Sequence, residues 1–119
     1  MTTQNIILVT GASSGFGKIT AGMLARQGHI VYGTSRKATG DTEDGVRMLQ
    51  MDVTNSESIR QAIEQIIEEQ ERIDTVVNNA GVGISGALEL ATEEEIEWQM
   101  NTNFMGVVKV CKAVLPFMR

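Results

Sequence analysis

The 119-residue sequence predicts an α/β fold, a doubly wound parallel sheet with helices on both faces. Three observations predict it. Short apolar runs alternate with stretches of helical periodicity. The stretch Thr10-Gly11-Ala12-Ser13-Ser14-Gly15-Phe16-Gly17 lies where the first apolar run passes into the first helical pattern. An amide and glycine turn, Asn78-Asn79-Ala80-Gly81, ends the fourth apolar run.

The elements follow in order. Ile6-Ile7-Leu8-Val9 reads as a buried first strand. The helix after the glycines carries Ile19, Met23 and Leu24 on one face, with Gly28 placed as its stop. His29-Ile30-Val31-Tyr32-Gly33-Thr34 is the second strand, so the first three elements form a βαβ unit with parallel strands. Residues 39–45 are polar and read as a loop, with room for one helical turn. The run from Val46 through Met51 is the third strand, ending at Asp52. Thr54 and Glu57 have the spacing of a capping box, and Ile59, Ile63, Ile66 and Ile67 follow at helical spacing. Glu57, Arg60, Glu64, Glu68 and Glu71 fall mostly on the opposite face and read as a solvated surface.

Ile73-Asp74-Thr75-Val76-Val77 is the fourth strand, and residues 82–90 form a loop. Thr92 and Glu95 make a second capping box, opening a helix over residues 92–118. Ile96, Met100, Asn103, Val107, Val110 or Cys111, and Val114 line one stripe of it. Pro116 should bend or stop that helix. The expected strand order is 3-2-1-4, with ligands bound beyond the carboxyl ends of the strands, near the first strand.

Bulk properties narrow the function. Ten basic and fifteen acidic side chains give a net charge of −5, which argues against a nucleic-acid partner. No apolar run approaches the roughly 20 residues of a membrane span, and the polar, uncharged stretch from Thr2 to Asn5 leads to the expectation of no signal peptide. One cysteine, Cys111, rules out an intrachain disulfide. The expectation is a soluble cytoplasmic protein. Cys111 reads as a small core residue, Trp98 as packing or interface, and His29 has no metal-ligand pattern around it.

Four features converge on the carboxyl edge of the predicted sheet. The glycine loop joins strand to helix, where backbone N–H groups and the helix dipole favour an anion. Gly11 allows the tight turn, Gly15 lets a pyrophosphate approach, and Gly17 lets helix and strand lie close. Ser35, Arg36 and Lys37 follow strand two, about twenty residues beyond the glycines, where an acid would hold a ribose 2′-hydroxyl. A guanidinium there suits a 2′-phosphate, so NADP(H) is favoured over NAD(H); the alternative is a solvated surface arginine. Asp52 can accept a hydrogen bond from an adenine amino group while Val53 packs on the ring, or Asp52 can simply start a turn. Asn78 and Asn79 can brace the neighbouring strand, and Ala80 and Gly81 let a flat ligand approach; an ordinary turn is the alternative.

Thr10-Gly11-x-x-x-Gly15-x-Gly17 together with Asn78-Asn79-Ala80-Gly81 resembles the classical short-chain dehydrogenases/reductases. Asp52-Val53 and residues 98–106 fit the same family, and the resemblance runs the length of the chain. It implies a Rossmann-like domain over residues 1–119. It implies that Gly11, Ser13, Ser14, Gly15, Phe16 and Gly17 surround the pyrophosphate and ribose. It places Arg36 at the position associated with NADP, Asp52 and Val53 at the adenine, and Asn79, Ala80 and Gly81 beside the inner ribose. Asn103, expected to point inward, matches the asparagine of the family's catalytic tetrad.

The family's chemistry also needs a Ser and a Tyr-x-x-x-Lys. The only tyrosine is Tyr32, with no lysine four residues on. The chain therefore resembles the first half of a family member, expected to be inactive alone. Strand four would be an exposed edge and the last helix an exposed apolar face, so a homo-oligomer through residues 92–118 is expected. The parent would transfer hydride between nicotinamide and a small-molecule carbonyl or secondary alcohol. The alternatives are a dinucleotide-binding module without turnover, and a structural fragment that dimerises through its last helix. Ile84, Leu88 and Leu90 hint at an apolar substrate wall, or pack the loop onto its own domain.

Overall fold

A computed structural model describes residues 3–37, 39–81 and 88–118. The strands are β1 (Ile6–Val9), β2 (Ile30–Ser35), β3 (Arg47–Gln50) and β4 (Thr75–Val77). The helices are α1 (Gly15–Arg26), α2 (Ser56–Gln70), α3 (Glu93–Met100) and α4 (Gly106–Met118). A 3-10 turn at Leu88–Leu90 precedes α3, and a π-helical turn at Asn101–Met105 joins α3 to α4.

All pairings are parallel and the strand order is β3-β2-β1-β4, as expected. β4 is an edge strand of this sheet. Leu8 pairs with Tyr32 on one side and Val76 on the other. All four strands therefore end on the same edge.

Each face of β1 feeds a separate core. Ile6 and Leu8 join Tyr32, the α2 residues Ile59, Ile63 and Ile66, and the α4 residues Val110 and Val114. Ile7 and Val9 join Val31, Val46 and the α1 residue Ala21. Helices thus cover both faces, which is why β1 is apolar at every position rather than alternating. Tyr32 is fully buried, and its hydroxyl is satisfied by Glu69, Arg47 and Gln70.

Several expectations are corrected. In α1 the buried residues are Gly17, Ala21 and Gly22, whereas Ile19 is 63% and Met23 46% exposed. A Cβ on Gly17 would meet Gly11 and Asn79, and one on Gly22 would meet Asp44, so close contacts select the smallest side chains over the apolar stripe. The cap of α2 is Asn55, whose side chain accepts from the Ser58 N–H. Thr54 instead donates to Asp52. The long C-terminal helix is broken by the π turn, and its buried residues are Thr102, Gly106, Val110 and Val114. Asn103 is exposed rather than inward-facing. The cause is a steric match: a Cβ on Gly106 would lie 2.8 Å from Val53 Cγ2, so the glycine face seats against the turn after β3.

Other expectations are met. Thr92 caps α3 by accepting from the Glu95 N–H. On the exposed face of α2, Arg60 pairs with Glu57 and Glu64. Gly28 follows α1 with φ +98°. The 39–45 connection holds a turn closed by Gly45 N–H to Thr42 O. Pro116, however, expected to bend or stop the helix, lies inside α4, which continues through it to Met118, the last described residue. Ile84 lies outside the described residues, as does the side chain of Leu88, while Leu90 is exposed.

Candidate dinucleotide-binding site

The site grows from the junction of β1 with α1. Beyond Val9 the Thr10 N–H donates to Val77 O, continuing the pairing with β4. The Thr10 side chain is buried, and its Oγ1 accepts from the N–H groups of Asn79 (3.0 Å) and Ala80 (2.9 Å). One hydroxyl therefore stitches the glycine loop to the turn after β4. On the other flank, the Gly11 N–H donates to Thr34 Oγ1 and the Ala12 N–H to Thr34 O.

Glycine is required here by contact as well as by dihedral. Gly11 has φ +64°, and a Cβ on it would fall 2.8 Å from Ala80 Cα. A Cβ on Gly17 would lie 2.1 Å from Gly11 O and 2.4 Å from Asn79 Nδ2. The same Asn79 Nδ2 donates to Gly11 O at 3.0 Å. Asn79 thus braces β4 against β1, and Asn78 reaches α4 through a 3.6 Å contact with the sulfur of Cys111, which is half-buried.

The α1 N-terminus opens outward. Ser14 is extended and makes no side-chain cap, so it leaves the N–H groups of the first turn to another acceptor. Gly15 has φ +59°, and a Cβ there would meet nothing within 4 Å. Uncapped N–H groups, the positive end of the dipole and clear space in front are together the arrangement that favours an anion.

The second wall is Ser35, Arg36 and Lys37 after β2. Ser35 Oγ accepts from the Lys37 N–H, and the Arg36 carbonyl accepts from Gln50. The third wall is the turn after β3. Asp52 Oδ1 accepts from both the N–H and the hydroxyl of Thr54, at 2.9 and 2.7 Å. Those bonds, chiefly that from the hydroxyl, hold the Asp52 carboxyl below its ordinary range against partial burial, with help from the charges of Arg36 and Lys109. Asp52 starts a turn and also faces the cleft. Val53 is 6% exposed and packs into the core against Gly106.

These walls enclose a cleft of about 830 Å³. It is lined by Gly11, Ser13, Ser14, Gly15, Phe16, Ser35, Arg36, Lys37, Asp52, Val53, Asn79, Ala80 and Gly81. Every residue expected around the dinucleotide lines it except Gly17, which packs behind the loop. Asn103 stands beside it: a Cβ on Gly81 would lie 3.0 Å from Asn103 Oδ1. Thr34, Met51, Thr54, Trp98 and Thr102 also line the cleft and were not singled out as site residues from sequence. Thr10 and Thr34 carried a readable signal, since a hydroxyl at a buried strand end needs partners. Trp98 and Thr102 carried none, because their place depends on how α3 crosses the sheet edge. Among the described residues no cluster of metal-ligating side chains occurs, and no helix is long and apolar enough to cross a membrane.

The short chain dehydrogenase family matches residues 5–119. The 3-ketodihydrosphingosine reductase of Bacteroides thetaiotaomicron is 72% identical over 114 residues, covering 96% of this chain and 42% of that protein. A structure of ElxO with NADP bound superimposes with TM-score 0.87 at 28% identity, covering 98% of this chain and 51% of the other. The NADH-dependent reductase A1-R′ complexed with NAD gives 0.83 at 27% identity, covering 96% and 52%. The chain spans about half the length, or less, of these relatives. With its parallel 3-2-1-4 sheet and glycine-loop cleft, the chain belongs to the short-chain dehydrogenases, an oxidoreductase family that binds nicotinamide dinucleotides.

Proposed function

We propose that this chain is the cofactor-binding portion of an NADP(H)-dependent reductase, and that its substrate is 3-ketodihydrosphingosine. The observation that carries the cofactor reading is the cleft itself. An uncapped α1 N-terminus meets a wall bearing Arg36 and Lys37, with Asp52 at the neighbouring strand end. Gly11 to Phe16 would hold the pyrophosphate, Arg36 the 2′-phosphate, Asp52 the adenine amino group, and Asn79 to Gly81 the inner ribose. Bound there, the nicotinamide supplies hydride to a carbonyl. The relative that is 72% identical supports the substrate.

Within the 119 residues the one tyrosine, Tyr32, is fully buried in the core and is followed four residues later by Arg36. The chain alone therefore binds the dinucleotide and does not turn it over. Asn103, beside Gly81, would complete the reacting end by holding a water there. The exposed apolar residues of 93–118, among them Phe104 and Leu115, support a homo-oligomer through that segment. Sedimentation of the full chain reads this, and a monomer at every concentration argues against it.

The cofactor test is calorimetric. Arg36→Asp should weaken NADPH by roughly ten- to hundred-fold, the value of a charge-assisted contact, and leave NADH nearly unchanged. Equal losses for both dinucleotides would exclude a 2′-phosphate role for Arg36. NADPH consumption by the chain alone with 3-ketodihydrosphingosine would contradict the division of labour.

A further inference from the structure

We propose that Trp98 is the stacking cover of the adenine subsite and sets the affinity for the adenylate half of the dinucleotide. The inference rests on the cofactor reading above and adds a residue to it. Its starting point is where α4 touches the third wall. Gly106 seats against Val53, with no room for a Cβ. One turn on, Lys109 Nζ donates to Thr54 O at 3.1 Å. Helix α4 is therefore pinned to the same turn that presents Asp52.

Counting back along the rod gives the rest. Thr102 and Gly106 are both buried, and Trp98 lies about one turn before Thr102, in α3. Thr102 and Trp98 both line the cleft with Asp52, Val53 and Thr54. Asn103, one residue on, turns instead to Gly81. Trp98 and Thr102 thus reach the cleft from the segment that seats Gly106 on Val53, while Asn103 reaches the turn after β4. Arg36 follows the strand beside that of Asp52, and its charge acts on the Asp52 carboxyl.

Trp98 is 44% exposed. A flat purine whose amino edge bonds Asp52 offers its face to that indole. Stacking suits the position because it needs area and no buried polar partner.

Trp98 is the one tryptophan among the 119 residues, so its emission reports on this site alone. The full chain is titrated with adenosine 2′,5′-bisphosphate and, separately, nicotinamide mononucleotide, followed by fluorescence and calorimetry. The bisphosphate is expected to quench Trp98, and the mononucleotide to leave it unchanged. Trp98→Ala should lose about 5- to 100-fold affinity for the bisphosphate, while Trp98→Phe keeps most of it. Thermal melts of both variants establish that they fold, and the wild-type emission needs no variant. Bisphosphate binding without quenching, equal in wild type and Trp98→Ala, overturns the role of Trp98 and leaves the cofactor site standing. A wild-type chain that binds neither the bisphosphate nor NADPH overturns the cofactor reading and the role of Trp98 with it.

Discussion

Around the glycine loop, β1, β4 and α1 meet so closely that Gly11 and Gly17 have no room for a methyl group. Along residues 93–118, by contrast, Trp98, Met100, Phe104, Leu115 and Phe117 are each more than two-fifths exposed. The loop is held from within the chain, by Thr10 on Asn79 and Ala80, by Thr34 on Gly11, and by Asn79 on Gly11. The rod is anchored along one narrow side, at Thr102, Gly106, Val110 and Val114. The loop's shape is over-determined, which suits a cradle that must present N–H groups in one geometry. The rod has one seated side and a broad apolar remainder, which suits a surface that meets something else.

The largest expected effect breaks the loop. Gly17→Ala drives a methyl group onto the Gly11 carbonyl and should cost about 3 kcal/mol or more, or prevent folding. Gly15→Ala, in open space, should cost only the positive-φ strain of about 1–2 kcal/mol. Urea denaturation of the pair reads the contrast, and equal costs would mean that close packing does not hold the loop.

The rod supplies the next test. Val110→Ala empties a buried position and should cost about 2 kcal/mol. Phe104→Ser, on the exposed side, should stay within about 0.5 kcal/mol in dilute protein, where the chain is monomeric, and cost more as concentration rises. A large, concentration-dependent loss for Phe104→Ser would sharpen the comparison, because it would mean that the exposed side is covered by another copy.

The smallest effect is acidic. The Ile6 N–H, with Arg72 and against slight burial, holds the Asp74 carboxyl below its ordinary value. The unfolded chain then binds more protons than the folded one at low pH. The stabilisation is present above pH about 4 and is lost as pH falls through the lower folded value. Asp74→Asn should flatten that part of the acid limb in a melting-temperature series. An unchanged limb would mean that the Ile6 contact contributes nothing.

Strand order and the cleft's three walls were legible because each rests on local signals. An unbroken apolar run marks a strand covered on both faces, and glycines at its end mark a turn that a side chain would block. The roles of Gly11 and Gly17 could be read this way. The face of α1 could not. Ile19 and Met23 look like a core stripe, yet the buried residues are Gly17, Ala21 and Gly22, with Gly17 set against the glycine loop and Gly22 against Asp44. The cap of α2 moved from Thr54 to Asn55 because Asp52 competes for the Thr54 hydroxyl, a contact that spacing alone does not reveal.

The sequence by itself determined the parallel sheet, the glycine loop between β1 and α1 and the basic residue on the cleft's second wall, since each follows from residues adjacent in the chain. Only the tertiary structure decided the course of residues 93–118. Helical periodicity assumes an unbroken α-helix and puts Asn103 inside. The π turn and the seat of Gly106 on Val53 rotate the rod, leaving Asn103 at Gly81 and Trp98 on the cleft. That rotation is set by a contact between residues 53 positions apart, which no local pattern encodes.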